Sequence, residues 1–205
     1  MIVKIHPDNP QPRLIKKVCE ILSQGGVMIY PTDTLYGIGC DLCQPKAIER
    51  IARLKGIPAE KAQFSIVFRD LSHIAEYCKL TDNKTFKLLK RHLPGPFTFI
   101  LEANNKIPKI LTPKKKTIGV RIPDHSIVMA ILKEFGHPIL TTSVKNNEEE
   151  TTEYFTDPEL IHERYRSFVD IVIDGGYGNL TASTIVDCTG EMPVILRQGA
   201  GILEI

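Results

Sequence analysis

Residues Tyr30 to Asp41 read Tyr-Pro-Thr-Asp-Thr-Leu-Tyr-Gly-Ile-Gly-Cys-Asp and follow directly on the apolar run Val27-Met28-Ile29. A connection leaving a strand needs a proline or a glycine, and at most one side chain to hold its backbone. This one carries two threonine hydroxyls, a carboxylate and a tyrosine among Pro31, Gly37 and Gly39. A polar cluster at the end of a buried strand is what an open α/β sheet presents to a ligand. The glycines are expected to let the backbone approach that ligand or to take positive φ. A polar bend whose hydroxyls satisfy one another is the competing reading of the same residues.

The rest of the chain alternates helix and strand signals. Asn9-Pro10 and Pro12 announce a helix capped by Asp8 or Asn9, with a stripe of Leu14, Ile15, Val18, Ile21 and Leu22 that ends at Gly25-Gly26. Pro45 opens a second helix closing at Lys55-Gly56, and shorter helices are expected near 72–78, 81–92, 125–135 and 158–166. Strands are expected at 27–30, 64–68, 97–101, 117–121, 138–142, 169–173, 184–187 and 194–197. The order predicts one α/β domain over residues 1–205, an open twisted mixed sheet with flanking helices.

Composition suits a globular protein with a proper core, at 42% hydrophobic and 24% charged residues. No apolar run approaches the roughly 18–20 residues needed to span a bilayer. The opening Met-Ile-Val-Lys-Ile-His-Pro lacks a signal-peptide pattern, so a cytoplasmic location is expected. Five scattered cysteines suit free thiols. Cys40-Asp-Leu-Cys43 lacks a second ligand pair, and structural thiols are expected there rather than a metal.

Charge is segregated. Ten lysines and arginines fall between Lys84 and Arg121 against the single acid Glu102, while Asn146 to Glu163 holds seven acids and no lysine or arginine. A basic face of that kind would attract phosphates or RNA.

Several nucleotide and hydrolase signatures are absent: the P-loop, a helix-opening G-x-G-x-x-G, and G-x-S-x-G. The six histidines lack ligand spacing and are expected at the surface. What remains is hydroxyls and arginines near strand ends: Thr32, Thr34, Thr98, Arg121, Thr142, Ser143, Ser183, Thr184 and Arg197. Guanidinium groups bind phosphate and carboxylate bidentately. Without a nucleophile–base pair, such a site acts by positioning and charge neutralisation.

Seven motifs in order then carry a resemblance. They are Tyr30-Pro-Thr-Asp-Thr-Leu-Tyr-Gly, Leu54-Lys-Gly-Ile-Pro58, Pro94-Gly-Pro-Phe-Thr98, Gly119-Val-Arg-Ile-Pro123, Thr142-Ser-Val-Lys145, Ser183-Thr-Ile-Val-Asp187 and Ile195-Leu-Arg-Gln-Gly-Ala200. Together they resemble the YrdC-like family over nearly the whole chain, and Ile5-His-Pro-Asp-Asn-Pro10 is similar to its YciO branch. The resemblance implies a concave basic cavity. It also implies synthesis of threonylcarbamoyl-adenylate from ATP, L-threonine and bicarbonate, with Mg²⁺ accompanying ATP, for the threonylcarbamoyl modification of tRNA. Thr34, Arg121 and Ser183 would surround threonine. Thr32, Ser143 and Arg197 would hold ATP, and Lys55 and Arg197 would neutralise the reacting phosphates. Binding of tRNA or double-stranded RNA, here assigned to Lys114, Lys115 and Lys116, and work alongside a threonylcarbamoyl-transfer machinery are further expectations.

Three departures fall on the chemistry. Ile57 stands where the synthases carry the arginine of a K-x-R pair, Lys145 stands where they carry asparagine, and Ile66-Val67-Phe68 lie where many of them place a histidine. Losing a charged hydrogen bond from a transition-state clamp costs about 2–4 kcal/mol, roughly two to three decades of rate. A weak synthase and a non-catalytic RNA-binding protein with the same fold are therefore the two leading expectations. A related reaction on another carbamoylated or adenylylated substrate stands third.

Overall fold

The first helix begins at Pro12, two residues later than the Asn9-Pro10 signal suggests. Its cap is Gln11, whose backbone is extended (φ −70°, ψ 121°) and whose side chain makes no capping bond. Gln11 Oε1 instead accepts from His6 N–H at 3.2 Å, and Asp8 and Asn9 lie in the turn before it. The helix closes as read. Gly25 N–H reaches Leu22 O at 3.0 Å and Gly26 N–H reaches Ile21 O at 2.9 Å, with Gly25 at φ +78°, the doubled bond pattern of a glycine C-cap.

The computed structural model describes residues 1–80, 82–111, 116–144 and 155–204. Lys114, Lys115 and Lys145 lie outside the described residues. In chain order the elements are β1 (Ile2–Lys4), α1 (Pro12–Ser23), β2 (Val27–Tyr30), β3 (Gly37–Asp41), α2 (Pro45–Leu54), β4 (Ser65–Val67), α3 (Leu71–Tyr77), β5 (Cys78–Lys79) and α4 (Asn83–His92). They continue with β6 (Phe97–Ala103), β7 (Thr117–Arg121), α5 (Ser126–Phe135), β8 (Ile139–Ser143), α6 (Pro158–Tyr165), β9 (Ile171–Asp174), β10 (Thr184–Asp187) and β11 (Val194–Arg197). All strands join one mixed sheet in the order β1-β9-β2-β3-β8-β4-β7-β6-β10-β11, with β5 on β6.

The two faces of this sheet differ, and the difference follows from the period of two along each strand. Ile38, Cys40, Leu140, Ile66, Val120, Phe99 and Val186 belong to one buried core with residues of α2, α3, α4 and α6. Several alternate positions, Gly37, Gly39, Ser65, Thr98, Gly119 and Thr141, are small or hydroxylated. Ser65 pairs with Thr141 on one side and Gly119 on the other. A Cβ at Gly119 would stand 2.7 Å from Ser65 Oγ and 3.0 Å from Thr98 Cγ2, so these side chains share a face. Part of that second face is covered: α1 and α5 pack Val18, Leu22, Ile131 and Leu132 on Met28, Tyr30, Val67, Ile139 and Ile171. The threonine–serine–glycine stretch beyond this cover is where a ligand can lie against the sheet.

Gly37 and Gly39 are neither turn residues nor positive-φ residues; they are strand residues of β3. Their missing side chains make room for Tyr30. A Cβ at Gly37 would meet Tyr30 Cζ at 3.0 Å and Thr141 Oγ1 at 3.1 Å. A Cβ at Gly39 would meet the Leu140 carbonyl at 2.8 Å and the Tyr30 ring at 3.0 Å. The fully buried Tyr30 hydroxyl donates to Thr141 Oγ1 at 2.7 Å, and burial pushes its pKa up to about 12.

Candidate functional site

The loop 31–36 folds over the polar face by spending its own hydroxyls. Thr32 Oγ1 accepts from Thr34 N–H at 3.0 Å and donates to Leu35 O at 2.8 Å. Its donor being used, Thr32 Oγ1 accepts from the Thr34 hydroxyl 3.1 Å away. Asn179 Nδ2 holds the Asp33 carbonyl at 3.0 Å, so a distant loop fixes the tip. The bend thus satisfies itself at Thr32, while Thr34 and Asp33 turn toward the sheet.

There they meet Arg121, the last residue of β7. Its Nη2 donates to Thr34 Oγ1 at 2.9 Å and to Asp33 Oδ1 at 3.0 Å. The pair is close to sealed, with 12% of the arginine and 10% of the aspartate side chain exposed. Buried polar atoms are ordinarily paired. Here Asp33 Oδ2, Arg121 Nε and His125 Nδ1 are buried with no partner. Burial lowers the pKa of the His125 imidazole, favouring its neutral form, against the opposing pull of the Asp33 and Asp124 charges.

A second arginine reaches the same region. Arg197, at the end of β11, donates Nη2 and Nε to Ser183 O at 2.8 and 3.3 Å. Ser183 Oγ lies 2.8 Å from Thr98 Oγ1, both buried. Burial and then the charge of Arg121 lower the Arg197 pKa, so the two guanidinium groups feel one another. Four of the expected residues (Thr34, Arg121, Ser183 and Arg197) are therefore assembled around one polar surface.

Lys55 and Ser143 meet at the other border. Lys55 Nζ donates to Ser143 O at 3.1 Å. Lys55, Ile57, Lys61, Phe64 and Thr142 line a cavity of about 320 Å³. Ile57 is 41% exposed there, an aliphatic side chain on a wall that also carries two lysines. Lys61, unremarked in the sequence, supplies a second cation to that cavity, and only its approach on the short helical turn Ala59–Lys61 reveals it. Ser65 escaped the sequence reading because a strand serine has no signature, and Asp33 was counted in the polar cluster but given no role of its own.

A larger cavity of about 830 Å³ lies between α4 and residues 188–193, and none of the expected ligand residues lines it. Lys116, the described member of the lysine triplet, is exposed and its carbonyl accepts from Ala103 N–H at 2.7 Å, extending the β6–β7 ladder. His73 departs from expectation. It is buried, 4% exposed, in a ring cluster with Phe68 and Tyr77.

Comparisons with known proteins place the chain in a family. A family model described as telomere recombination, Sua5/YciO/YrdC, matches residues 20–199. The chain belongs to the Sua5/YciO/YrdC family. Escherichia coli YciO is 42% identical over 198 residues, covering 96% of this chain and 94% of that protein. The YciO crystal structure superposes with a TM-score of 0.92 at 41% identity over 100% of this chain and 98% of that one. A threonylcarbamoyl-AMP synthase of Vibrio vulnificus is 30% identical over 188 residues, covering 90% of this chain and 98% of that protein. Pyrococcus abyssi Sua5 complexed with L-threonine has a TM-score of 0.87 at 26% identity, and the match spans 97% of this chain but only 57% of that longer one. The mixed α/β fold with an open sheet is thus the family fold. Among the described residues, no helix is long and apolar enough to cross a membrane.

Proposed function

We propose that the polar face is an amino-acid and nucleotide pocket, and that the chain forms threonylcarbamoyl-adenylate from L-threonine, bicarbonate and ATP. The observation that carries this reading is the trio of buried, unpartnered atoms: Asp33 Oδ2, Arg121 Nε and His125 Nδ1. An unsatisfied buried polar atom costs about 1–3 kcal/mol, which a bound ligand recovers. A zwitterionic amino acid carries the matching groups. Its carboxylate accepts from the guanidinium, its ammonium donates to the carboxylate oxygen, and Thr34 and Ser183 are placed to meet a hydroxyl. The Vibrio synthase and the threonine complex of Sua5 support the choice of threonine.

In the reaction, the threonine nitrogen bonds to the bicarbonate carbon with loss of water, and an oxygen of the resulting carbamate attacks the α-phosphorus of ATP, breaking the bond from that phosphorus to the bridging oxygen of pyrophosphate. Arg197 and Lys55 neutralise the charge that gathers on the phosphates, and Lys61 adds to it. Mg²⁺ enters with ATP as part of the substrate. Among the described residues the only three-donor cluster contains a thiol, Cys43, and does not suit so hard an ion.

Calorimetric titration with L-threonine tests the pocket. Saturable binding is expected, weakened at least tenfold by Arg121→Gln; absence of binding to the wild-type chain overturns the assignment.

A second reading, RNA binding, is favoured by α4. Lys84, Lys87 and Arg91 share one helix face and line the 830 Å³ cavity, with Lys90 exposed nearby. Binding of double-stranded RNA through these cations would weaken steeply with salt.

A further inference from the structure

Outside the polar face, the end of the β3–β8 ladder gathers three metal-ligating side chains. Asp41 pairs with Ile139 in antiparallel register, and Leu42 N–H donates to Pro138 O at 3.3 Å. The pairing ends there because the chain turns: Gln44 N–H donates to Asp41 O at 3.1 Å and Cys43 N–H donates to Asp41 Oδ1 at 2.9 Å. The turn folds Cys43 back beside Asp41, and His137 directly precedes the Pro138 that faces Leu42. A carboxylate oxygen of Asp41, Cys43 Sγ and a ring nitrogen of His137 all lie within 4.8 Å of one another. His137 Nδ1 is 3.8 Å from Asp41 Oδ1.

Asp41 gives an independent indication of a cation. It is 4% exposed, and its Oδ1 accepts from Cys43 N–H at 2.9 Å. Among the described residues its one ion-pair neighbour is His137, and neither a lysine nor an arginine stands within ion-pairing distance. Buried carboxylates are ordinarily paired with a cation or coordinate a metal.

We propose that Asp41, Cys43 and His137 bind one divalent transition metal of the zinc type, leaving a fourth position for water or an external ligand. The donor set of thiolate, imidazole and carboxylate is that of zinc or cobalt and unlike the all-oxygen shells of magnesium and calcium. Bonds of about 2.0–2.3 Å at tetrahedral angles put ligand atoms about 3.3–3.6 Å apart. The present spacing closes to that value by rotation of Cys43, which is exposed, and His137, whose side chain is 58% exposed, about the fixed Asp41. On binding, the sulfur–metal bond replaces the S–H bond and the proton leaves to solvent. The site stands at the opposite end of the β3–β8 ladder from Ser143, so a filled site clamps that ladder without entering the amino-acid pocket. It does not depend on the synthase reading.

The test is a Co²⁺ titration of the full chain after treatment with chelator, read at the near-ultraviolet thiolate-to-cobalt absorbance, followed by displacement with Zn²⁺. One cobalt per chain is expected. Cys43→Ser should abolish the absorbance, His137→Ala should weaken apparent affinity at least tenfold, and Cys188→Ser should change neither. Circular dichroism of each variant confirms that it is folded. No saturable binding, an absorbance retained in Cys43→Ser, or one lost in Cys188→Ser overturns the site.

Discussion

Asp33 and Arg121 form a 3.0 Å ion pair that uses only one carboxylate oxygen and one guanidinium nitrogen, leaving Asp33 Oδ2 and Arg121 Nε buried without partners. A pair serving only stability would close on itself through both oxygens, as bidentate geometry allows. This one is half-used, which suits the zwitterion pocket proposed above.

Asp33→Asn keeps the shape and removes the charge. It should weaken threonine binding at least tenfold and destabilise the chain by about 2–3 kcal/mol, measured by urea unfolding. The loss falls short of the roughly 3–5 kcal/mol of a sealed pair because a little of each side chain reaches water and Thr34 still accepts from Arg121.

Gly39→Ala should cost about 1–3 kcal/mol, because the new methyl meets the Leu140 carbonyl at 2.8 Å and backbone cannot swing aside. Gly37→Ala should cost less, since its nearest contacts are the side chains of Tyr30 and Thr141 at 3.0–3.1 Å. Thermal unfolding of both variants gives the order, and equal costs would contradict the packing account.

These glycines also show where the sequence was legible and where it was not. The helices and most strands follow from periodicity, Pro45 and the Gly25-Gly26 stop, because those signals are local. The block after Tyr30 was legible as a site but not in its architecture. A five-residue strand with two glycines and an aspartate has no strand signature, and only contacts from neighbouring strands, Tyr30 at Gly37 and Tyr30 with Ile139 and the Leu140 carbonyl at Gly39, explain the glycines. Arg121, Arg197, Thr34 and Ser183 could be named from their motifs, whereas their convergence depends on sheet register. Cys43 was weighed as a ligand beside Cys40, whereas its neighbours in the fold are Asp41 and His137, the latter far along the chain just before β8.

Ile57→Arg restores a guanidinium to the cavity shared with Lys55 and Lys61. Ile57 is 41% exposed, so the change should leave stability within about 0.5 kcal/mol. Synthase turnover should rise by about tenfold or more. Lys61→Ala should lower it, and an unchanged rate would remove Lys61 from the phosphate wall.

Burial lowers the pKa of His73 from its ordinary value of 6.5. The unfolded chain then binds this proton more readily than the folded one, so stability is fully present above about pH 6.5 and declines as pH falls toward the folded pKa. His73→Phe, which keeps a ring against Phe68 and Tyr77, should flatten the decline below about pH 6.5 in urea titrations. An unaltered slope would assign the loss to other groups.

The central claim is that Arg121, Thr34 and Arg197 build a pocket that joins threonine to adenylate. Pyrophosphate release from ATP, Mg²⁺ and bicarbonate, with and without L-threonine, measures it most directly in the wild type, Ile57→Arg and Arg197→Ala. The account predicts a threonine-dependent signal in the wild type, a larger one in Ile57→Arg, and one about a hundredfold smaller in Arg197→Ala. No threonine-dependent release above the Arg197→Ala level in either of the other two proteins would contradict it.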